Sequence, residues 1–439
     1  METDNKEIKN TLRGKSGDKY AHSRLMYIAE ETFFYFISML VSGAYLARVT
    51  TAIGISDSLT GILSSFISLG CGFQIVAVFL SRMRPVKRWV SALYFINNIM
   101  FALVYLVPVF PLDKSAKTVI FVVLLLSGRI INNIAVAPKT NWFMALIDDN
   151  KRGSFTATKE ITSLLSGMLF TFVMGSLMDW LFERGEDNAA FAVGAVTIFA
   201  LAVLHLVALG TSSEKSALEG EIKPVGEMLS SIIKDKRIYK VILISVLWNV
   251  ASYASTPFYG TYQIKELGFN MTLVSVLAAL LSLTRAVFSK PLGKYADKFG
   301  FVKMLRICFF AAFLSFVIMA FTVKENGVVF YALHSTLYAI GMAGINSGSI
   351  NLIYDYVDHD KRTAALAIKN TLAGLAGFFT TLFISPLVSC IQQNGNSVFG
   401  IKIYAQQAIS VISAVVCLLL LVYIYVFFRN GSRVESGNS

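Results

Sequence analysis

Residues Asp358–Gly377 read D-H-D-K-R-T-A-A-L-A-I-K-N-T-L-A-G-L-A-G, and residues Asp148–Gly167, which lie 210 positions earlier, read D-D-N-K-R-G-S-F-T-A-T-K-E-I-T-S-L-L-S-G. Each stretch is a short charged loop followed by an apolar run rich in small residues. Without a gap, seven positions are identical in the two stretches: Asp148/Asp358, Lys151/Lys361, Arg152/Arg362, Ala157/Ala367, Lys159/Lys369, Leu165/Leu375 and Gly167/Gly377.

A second pair of segments repeats at almost the same distance. Gly54–Ser65 matches Gly268–Ala279 in pattern at an offset of 214 residues. This distance is too long for a solenoid repeat, so the chain is predicted to consist of two related halves. In a membrane protein, two parallel halves are typical of secondary transporters.

The composition indicates a membrane protein. The chain is 55% apolar and only 15% charged, whereas a soluble protein carries about 25% charged residues. The net charge of +12 does not indicate a nucleic-acid partner, because the basic residues lie in short loops between apolar runs. We therefore expect the chain to lie in the lipid bilayer and to have no nucleic-acid partner.

Twelve apolar runs are long enough to cross a bilayer, for which about 20 residues are needed. They are predicted at 27–50, 58–80, 88–110, 118–145, 156–180, 189–210, 239–262, 272–291, 303–323, 328–354, 363–388 and 401–428. The predicted fold class is an all-α integral membrane protein with twelve transmembrane helices in two pseudo-symmetric six-helix bundles. The domains would be 1–210 and 239–439, joined by a charged cytoplasmic linker, 211–238.

The distribution of Lys and Arg predicts the orientation. Segments on the side of the N-terminus hold 29 of the 39 basic residues, and those on the other side hold six. Four more, Arg48, Arg129, Lys139 and Arg285, lie within spans or at their ends. The positive-inside rule then places both termini in the cytoplasm, and we expect a multi-pass protein of the cytoplasmic (plasma) membrane.

The segment after the eighth span reads G-K-Y-A-D-K-F-G-F-V-K. It resembles the loop signature of the major facilitator superfamily, and the resemblance extends over nearly the whole chain. The matching residues are Gly293, Asp297, Lys298, Gly300 and Lys303. The family resemblance implies two bundles around a central site that opens alternately to either side, with Asp297 latched onto the start of the fifth span near Lys159.

The first half keeps less of this signature. The segment F-L-S-R-M-R-P-V-K-R retains Arg84, but Phe79, Met83 and Val86 replace the Gly, the Asp and the second Gly. Together with Arg152 and Arg362 of the repeated loops, Arg84 is a candidate gating residue. The fifth span also lacks the Gly-Pro pair of drug antiporters, which disfavours a proton/drug antiporter of the usual type.

Polar residues within spans are the candidates for substrate binding or coupling, because charges in hydrocarbon are costly. Arg129, Asn132 and Asn133 resemble the family's fourth-span pattern. Arg129 is predicted to face the cavity, with helix packing as the alternative. His205, in a peripheral span, receives no role. The remaining candidates are Glu31 and Tyr35 in the first span, Trp248, Asn249 and Tyr253 in the seventh, and His334, Tyr338 and Asn346 in the tenth.

Glu30 and Glu31 lie about one turn into the predicted first span. Either carboxylate can titrate or pair with a cation, and snorkelling to the interface is the alternative. In the seventh span, Pro257 is predicted to produce a kink. His334 is predicted either to titrate near neutral pH or, as the plainer alternative, to be an ordinary hydrogen-bonded histidine.

The sequence predicts a transporter and not an enzyme. It shows no P-loop, metal cluster or nucleophile arrangement, and so no cofactor or metal is expected. The hypothesis is a monomeric permease that moves a small organic solute, coupled to protons. The alternatives are a uniporter, an exporter of drugs or amphipathic compounds, and, from another class, a polytopic membrane enzyme or sensor.

Overall fold

The computed structural model describes residues 18–73, 85–147, 152–214, 236–356, 362–398 and 400–428. Helices make up most of these residues. In chain order they are α1 Ala21–Leu40, α2 Gly43–Ile53, α3 Asp57–Ser64, α4 Phe66–Gly70, α5 Val86–Leu106, α6 Lys114–Met144, α7 Arg152–Glu183, α8 Asp187–Thr211, α9 Lys236–Tyr253, α10 Tyr259–Thr261, α11 Met271–Phe299, α12 Phe301–Ala320, α13 Gly327–Tyr356, α14 Arg362–Gln393 and α15 Ala405–Phe427.

Short elements complete the described structure. The 3₁₀ turns are Cys71–Phe73, Val107–Val109 and Thr256–Phe258, and Tyr262–Glu266 forms one π-helical turn. Strands β1, Ser397–Val398, and β2, Ile401–Lys402, pair antiparallel in a small hairpin. The α-helix is interrupted where a kink was predicted: α9 ends at Tyr253 and Pro257 lies in the 3₁₀ turn that follows, within a span that continues to Glu266.

The predicted twelve spans are approximately confirmed. Within the described residues, ten helices are long and apolar enough to cross a membrane, and α1 with α2, which meet at a bend of 43°, make an eleventh if the pair counts as one span. The predicted second span corresponds to α3, α4 and the turn Cys71–Phe73, and its last residues, 74–80, lie outside the described ranges. Many large apolar side chains point outward, such as Leu169, Val329 and Phe383, as expected for helices surrounded by lipid.

Buried apolar residues form several clusters that largely follow the two halves of the sequence. The largest joins residues from Ile238 to Phe428, and the next joins residues from Ile37 to Leu201 together with Met271. Few apolar residues cross between them. The boundary between the clusters is where polar and small side chains line the space described below.

The helix ends lie on two faces, defined here by their contacts. On the terminal face, where α1 begins, the Ser213 amide donates to Ser23 Oγ at 2.8 Å and Trp142 Nε1 donates to the Ser213 carbonyl at 2.8 Å. On the opposite, distal face, Asp57 forms an ion pair with Lys265 and accepts a hydrogen bond from Gln392 Nε2 at 2.8 Å. The distal contacts join the two halves of the chain.

Two sequence predictions of boundaries are wrong. The segment Gly293–Lys303 is not a loop: Gly293 lies within α11, and only Gly300, at φ +90°, separates α11 from α12. A single residue suffices because glycine tolerates this backbone conformation. The last span begins at Ala405 and not at residue 401, because Gly395, Asn396 and Gly400 have positive φ and form a turn and hairpin there.

Candidate functional site

A cavity of about 710 Å³ lies between the two halves of the chain. Its volume is in the range of small-molecule sites, roughly 300–1,000 Å³. The break after α1, the helices α2, α3, α4, α6, α9, α13 and α14, and two 3₁₀ turns line it. They are Val41, Ser42, Gly43, Leu46, Ser64, Ile67, Ser68, Cys71, Arg129, Ser245, Trp248, Asn249, Ser252, Tyr253, Thr256, Pro257, Tyr338, Met342, Ile345, Asn346, Ser349, Ile350, Lys369, Asn370, Ala373 and Gly374.

The structure places six of the predicted binding candidates in the lining of this cavity: Arg129, Trp248, Asn249, Tyr253, Tyr338 and Asn346. Five other candidates do not line it: Glu31, Tyr35, Asn132, Asn133 and His334. Sequence reasoning missed two parts of the lining: α3 and α4, which contribute Ser64, Ile67 and Ser68, and α14, which contributes Lys369 and Asn370. Lys369 is identical to Lys159 in the repeat, and this identity could have pointed to α14.

Arg129 lies where the first span is broken. Its Nη2 donates to the Val41 carbonyl at 2.6 Å, at the C-terminal end of α1. Ser42 there is extended and Gly43 has φ +54°, so α2 starts in a new direction. The guanidinium also lies 5.0 Å from the centre of the Phe101 ring, and its Nε has no partner among the described residues. Arg129 therefore stabilises the helix break and faces the cavity at once.

Aromatic side chains of the second half form one wall of the cavity. The rings of Trp248 and Tyr338 are stacked with centroids 6.1 Å apart, and the hydroxyls of Tyr338 and Ser252 are 3.0 Å apart. Tyr253 packs on Gly377, where an added Cβ would lie 2.9 Å from the tyrosine ring. The repeated glycine of α14 is thus needed for close approach of this aromatic side chain.

The other candidates lie away from the cavity lining. Asn133 Nδ2 donates to the Arg129 carbonyl at 3.0 Å, and the Asn132 Oδ1 is buried without a partner among the described residues. His334 is buried, with Nδ1 3.0 Å from the Ser315 carbonyl. Tyr35 packs on Gly167, as Tyr253 does on Gly377. Of the two hypotheses for His334, these contacts favour an ordinary hydrogen-bonded histidine.

A second polar site lies inside the first half. Lys139 Nζ is 2.9 Å from Glu30 Oε2 and 2.9 Å from Glu31 Oε1, and Lys159 Nζ is 3.3 Å from Glu31 Oε2. The side chains of Glu30 and Lys139 are 0% and 1% exposed, whereas that of Glu31 is 24% exposed. Two carboxylates and two ammonium groups balance in charge, which makes their burial tolerable.

His205, which received no role from its position in a peripheral span, extends this network. Asn97 Nδ2 donates to Asn98 Oδ1 at 3.0 Å, so the amide nitrogen of Asn98 is the group that faces His205 Nδ1, at 2.9 Å. The imidazole Nδ1 is then the acceptor, and Nε2 donates to Glu30 Oε2 at 3.0 Å. With the two amides in this orientation, the hydrogen bonds fit the neutral tautomer with hydrogen on Nε2.

The two glutamates lie farther along their helix than the apolar run indicated. Because α1 begins at Ala21, Glu30 and Glu31 lie nearly three turns into the helix, at 3.6 residues per turn. Glu30 cannot snorkel to the interface, since it is fully buried. Residues 21–26, the end of the polar segment before the apolar run, belong to α1 as well. The start of the apolar run therefore does not mark the start of the helix.

The halves meet closely on the distal side of the cavity. Asp179 of α7 accepts hydrogen bonds from the Met271 and Thr272 amides at 2.9 and 2.7 Å and thereby caps α11. A Cβ on Gly260 of α10 would lie 2.5 Å from the Gly43 carbonyl oxygen. With the Asp57 contacts, these interactions close the distal face, while Ser245, Ile350 and Lys369 extend the cavity lining toward the terminal face.

The candidate gating residues are only partly described. Asp297 is exposed on α11, and Lys298 and Lys303 lie 5.1 and 5.9 Å from the centre of the Phe299 ring. Lys159, the predicted neighbour of Asp297, contacts Glu31 instead. Arg84 lies outside the described residues, as do the side chains of Arg152 and Arg362, which begin α7 and α14. The latch therefore stays a prediction.

The sequence profile of the Major Facilitator Superfamily matches residues 32–381 and 257–439. The chain therefore belongs to the Major Facilitator Superfamily, a family of membrane transporters of small-molecule solutes. No curated protein sequence gives a significant match.

Solved structures with the same fold agree with the family assignment. The nucleoside transporter NupG is 14% identical, with a TM-score of 0.69 over 93% of this chain and 99% of that chain. The D-xylose-proton symporter is 16% identical, with a TM-score of 0.69 over 93% and 98%. An inward open xylose transporter XylE from E. coli, also 16% identical, gives a TM-score of 0.63 over 90% and 95%. At these identities the likeness shows the fold alone.

Proposed function

We propose that this chain is a secondary active transporter that moves a small organic solute by alternating access and is coupled to protons. The cavity between the two halves is the observation that carries this proposal, since it joins polar groups of both in one space. The two bundles would be 1–210 and 239–439, joined by 211–238. We infer a monomer as the working unit, since the cavity is lined by residues of one chain.

The contacts between the halves suit a rocking motion. On the distal face they are hydrogen bonds, one ion pair and close approaches at glycine, which separate without exposing a large apolar core. In the state described, the distal side is closed and the cavity extends toward the terminal face. The opposite state requires the distal contacts to open, and the latch predicted for Asp297 would form there.

The proton site is best assigned to Glu31. It is the accessible member of the buried network, and it holds Lys139 and Lys159 together. The next residue of α7, Glu160, forms an ion pair at 3.3 Å with Arg285 of α11, in the other half. A proton on Glu31 would release Lys159 and so alter α7 next to this contact between the halves. The ionisable groups facing Glu31 are Tyr27, Glu30, Tyr94, Lys139, Lys159 and His205.

Reconstituted protein in liposomes containing a pH-sensitive dye tests this function. Addition of a transported solute, screened among nucleosides, D-xylose and organic anions, is expected to change the internal pH. Glu31→Gln should abolish this pH change and gradient-driven accumulation but retain solute exchange, because the amide can mimic the protonated carboxyl. Glu183→Gln, at the exposed distal end of α7, is the matched control. If the unmodified protein transports the solute at a rate and to an extent that do not depend on the pH gradient, it is a uniporter.

The proposed location is the plasma membrane with both termini in the cytoplasm, as the Lys and Arg distribution predicts. In a background free of the four native cysteines, single cysteines at Asp149 and Asn394 should label oppositely with an impermeant maleimide. In intact cells only the Asn394 position is expected to react. Equal labelling of both positions would contradict the proposed topology.

A further inference from the structure

The repeated lysines Lys159 and Lys369 have different surroundings. Lys159 has a counter-ion, because its Nζ is 3.3 Å from Glu31 Oε2. Lys369 lines the central cavity and is only 7% exposed. Among the residues that the structure describes, no carboxylate lies within ion-pair distance of Lys369. The same sequence position therefore holds a neutralised cation in one half and, as far as the described residues show, a cation without a counter-ion in the other.

The repeat itself explains this difference. Moving Glu31 forward by the two repeat offsets, 210 and 214 residues, leads to the stretch 241–245, V-I-L-I-S, which contains no acidic residue. The last residue of this stretch, Ser245, lines the cavity as Lys369 does. The second half thus keeps the lysine of the repeat but lacks the carboxylate that neutralises it in the first half.

The charged residues that line the cavity in the described part of the chain are all basic. The 26 described residues of the lining include two that are ionised at neutral pH in their usual state, Arg129 and Lys369, and no Asp or Glu. Arg129 donates one Nη2 to the Val41 carbonyl, and its Nε has no partner among the described residues. A buried cation without a counter-ion is unfavourable, and a bound anion relieves this.

We propose that the solute carries an oxyanion group, a carboxylate or a phosphoryl group, which Lys369 and Arg129 neutralise. The stacked rings of Trp248 and Tyr338 then contact its apolar or aromatic part. Asn346 and Asn370, both exposed to the cavity, offer amide hydrogen bonds to further polar groups. The solute class is therefore an organic anion with an apolar portion. This inference rests on the proposed function, because it assigns the ligand of the same cavity.

Binding measurements on the full chain in nanodiscs of zwitterionic lipid test the inference. Trp89, Trp142 and Trp180 are replaced by Phe, so that fluorescence reports on Trp248. The probes are benzoate and phenyl phosphate, with benzamide as the neutral control and benzylamine as the cationic one. Both anions are expected to change the fluorescence at concentrations at least tenfold below those needed with benzamide.

Variants of Lys369 supply the decisive comparison. Lys369→Gln should weaken anion binding at least tenfold and remove the preference over benzamide, and Lys369→Glu should shift the preference to benzylamine. Lys290→Gln, on an exposed position of α11, should behave as the unmodified protein. Equal binding of benzamide and the anions, no binding of either anion at millimolar concentration, or an unchanged preference in Lys369→Gln would overturn the inference.

A lipid headgroup carries the same oxyanion chemistry, and a second arm separates it from a solute. Nanodiscs with phosphatidylglycerol should leave phenyl phosphate binding unchanged. Competition by this lipid would mean that the headgroup is the ligand, against our inference. If a neutral solute is exchanged across liposomes while the anions fail to bind, the transporter proposal stands and only the ligand assignment fails.

Discussion

Lys139→Met is expected to lower the free energy of unfolding by about 3–5 kcal/mol, the range for removing one partner of a buried ion pair. The substitution leaves Glu30 fully buried without its cation, and Glu30 Oε1 already has no partner among the described residues. Among the described residues, His205 then remains as the only group that is hydrogen-bonded to Glu30 Oε2. The effect is measured by thermal unfolding of the purified protein, with loss of the monodisperse fraction as the readout.

The double variant Glu30→Gln with Lys139→Met separates a charge effect from a packing effect. Because both charges are removed together, most of the lost stability should return. Lys290→Met, on an exposed position, is the control and should change little. A double variant as unstable as Lys139→Met alone would show that the lysine stem packs the bundle and that its charge is unimportant.

Arg129→Lys and Arg129→Ala are expected to reduce transport at least tenfold, with substrate binding or its pH dependence altered. Lysine keeps the charge but lacks the planar guanidinium, which here bonds the Val41 carbonyl and faces the cavity with its remaining groups. Alanine also leaves that carbonyl without its partner, and we expect it to cost about 1–3 kcal/mol in stability. Exchange assays in liposomes and thermal unfolding together measure both effects.

Arg48→Lys is the matched control, since Arg48 lies over the Phe182 ring, 4.1 Å from its centre, and does not line the cavity. Its transport should equal that of the unmodified protein. If both Arg129 variants lose thermal stability while the folded fraction transports normally, Arg129 acts only in helix packing. Preserved stability with lost transport in Arg129→Lys would support its place in the binding site.

The fold was largely predictable, because lipid imposes a simple rule on the chain. Apolar runs of sufficient length become helices, and their alternation with basic loops indicates topology. The repeat of Asp148–Gly167 in Asp358–Gly377 then indicated two related halves. Helix ends were less predictable: Gly293–Lys303 continues as helix because charged residues do not end a helix that leaves the hydrocarbon region.

The candidate site was predictable only in part. Arg129, Trp248 and Tyr338 were found because polar and aromatic residues stand out within apolar spans. Lys369 was not found, because the rotation of α14 about its axis decides which of its side chains face the cavity, and the sequence does not give this rotation. Glu31 pairs with cations, as one of its two sequence hypotheses had it, but its partners lie within the first half and it does not line the cavity.

The amino-acid pattern alone was enough to determine helices, halves and the family resemblance, since these depend on local composition and on the repeat. Only the tertiary structure decided which charges meet. Lys139 and Glu30 are 109 residues apart in the sequence, and His205 and Glu30 are 175 apart. The same packing gives Lys159 a carboxylate partner and leaves Lys369 facing an open cavity, because the position of a counter-ion is set by neighbouring helices and not by the repeated motif itself.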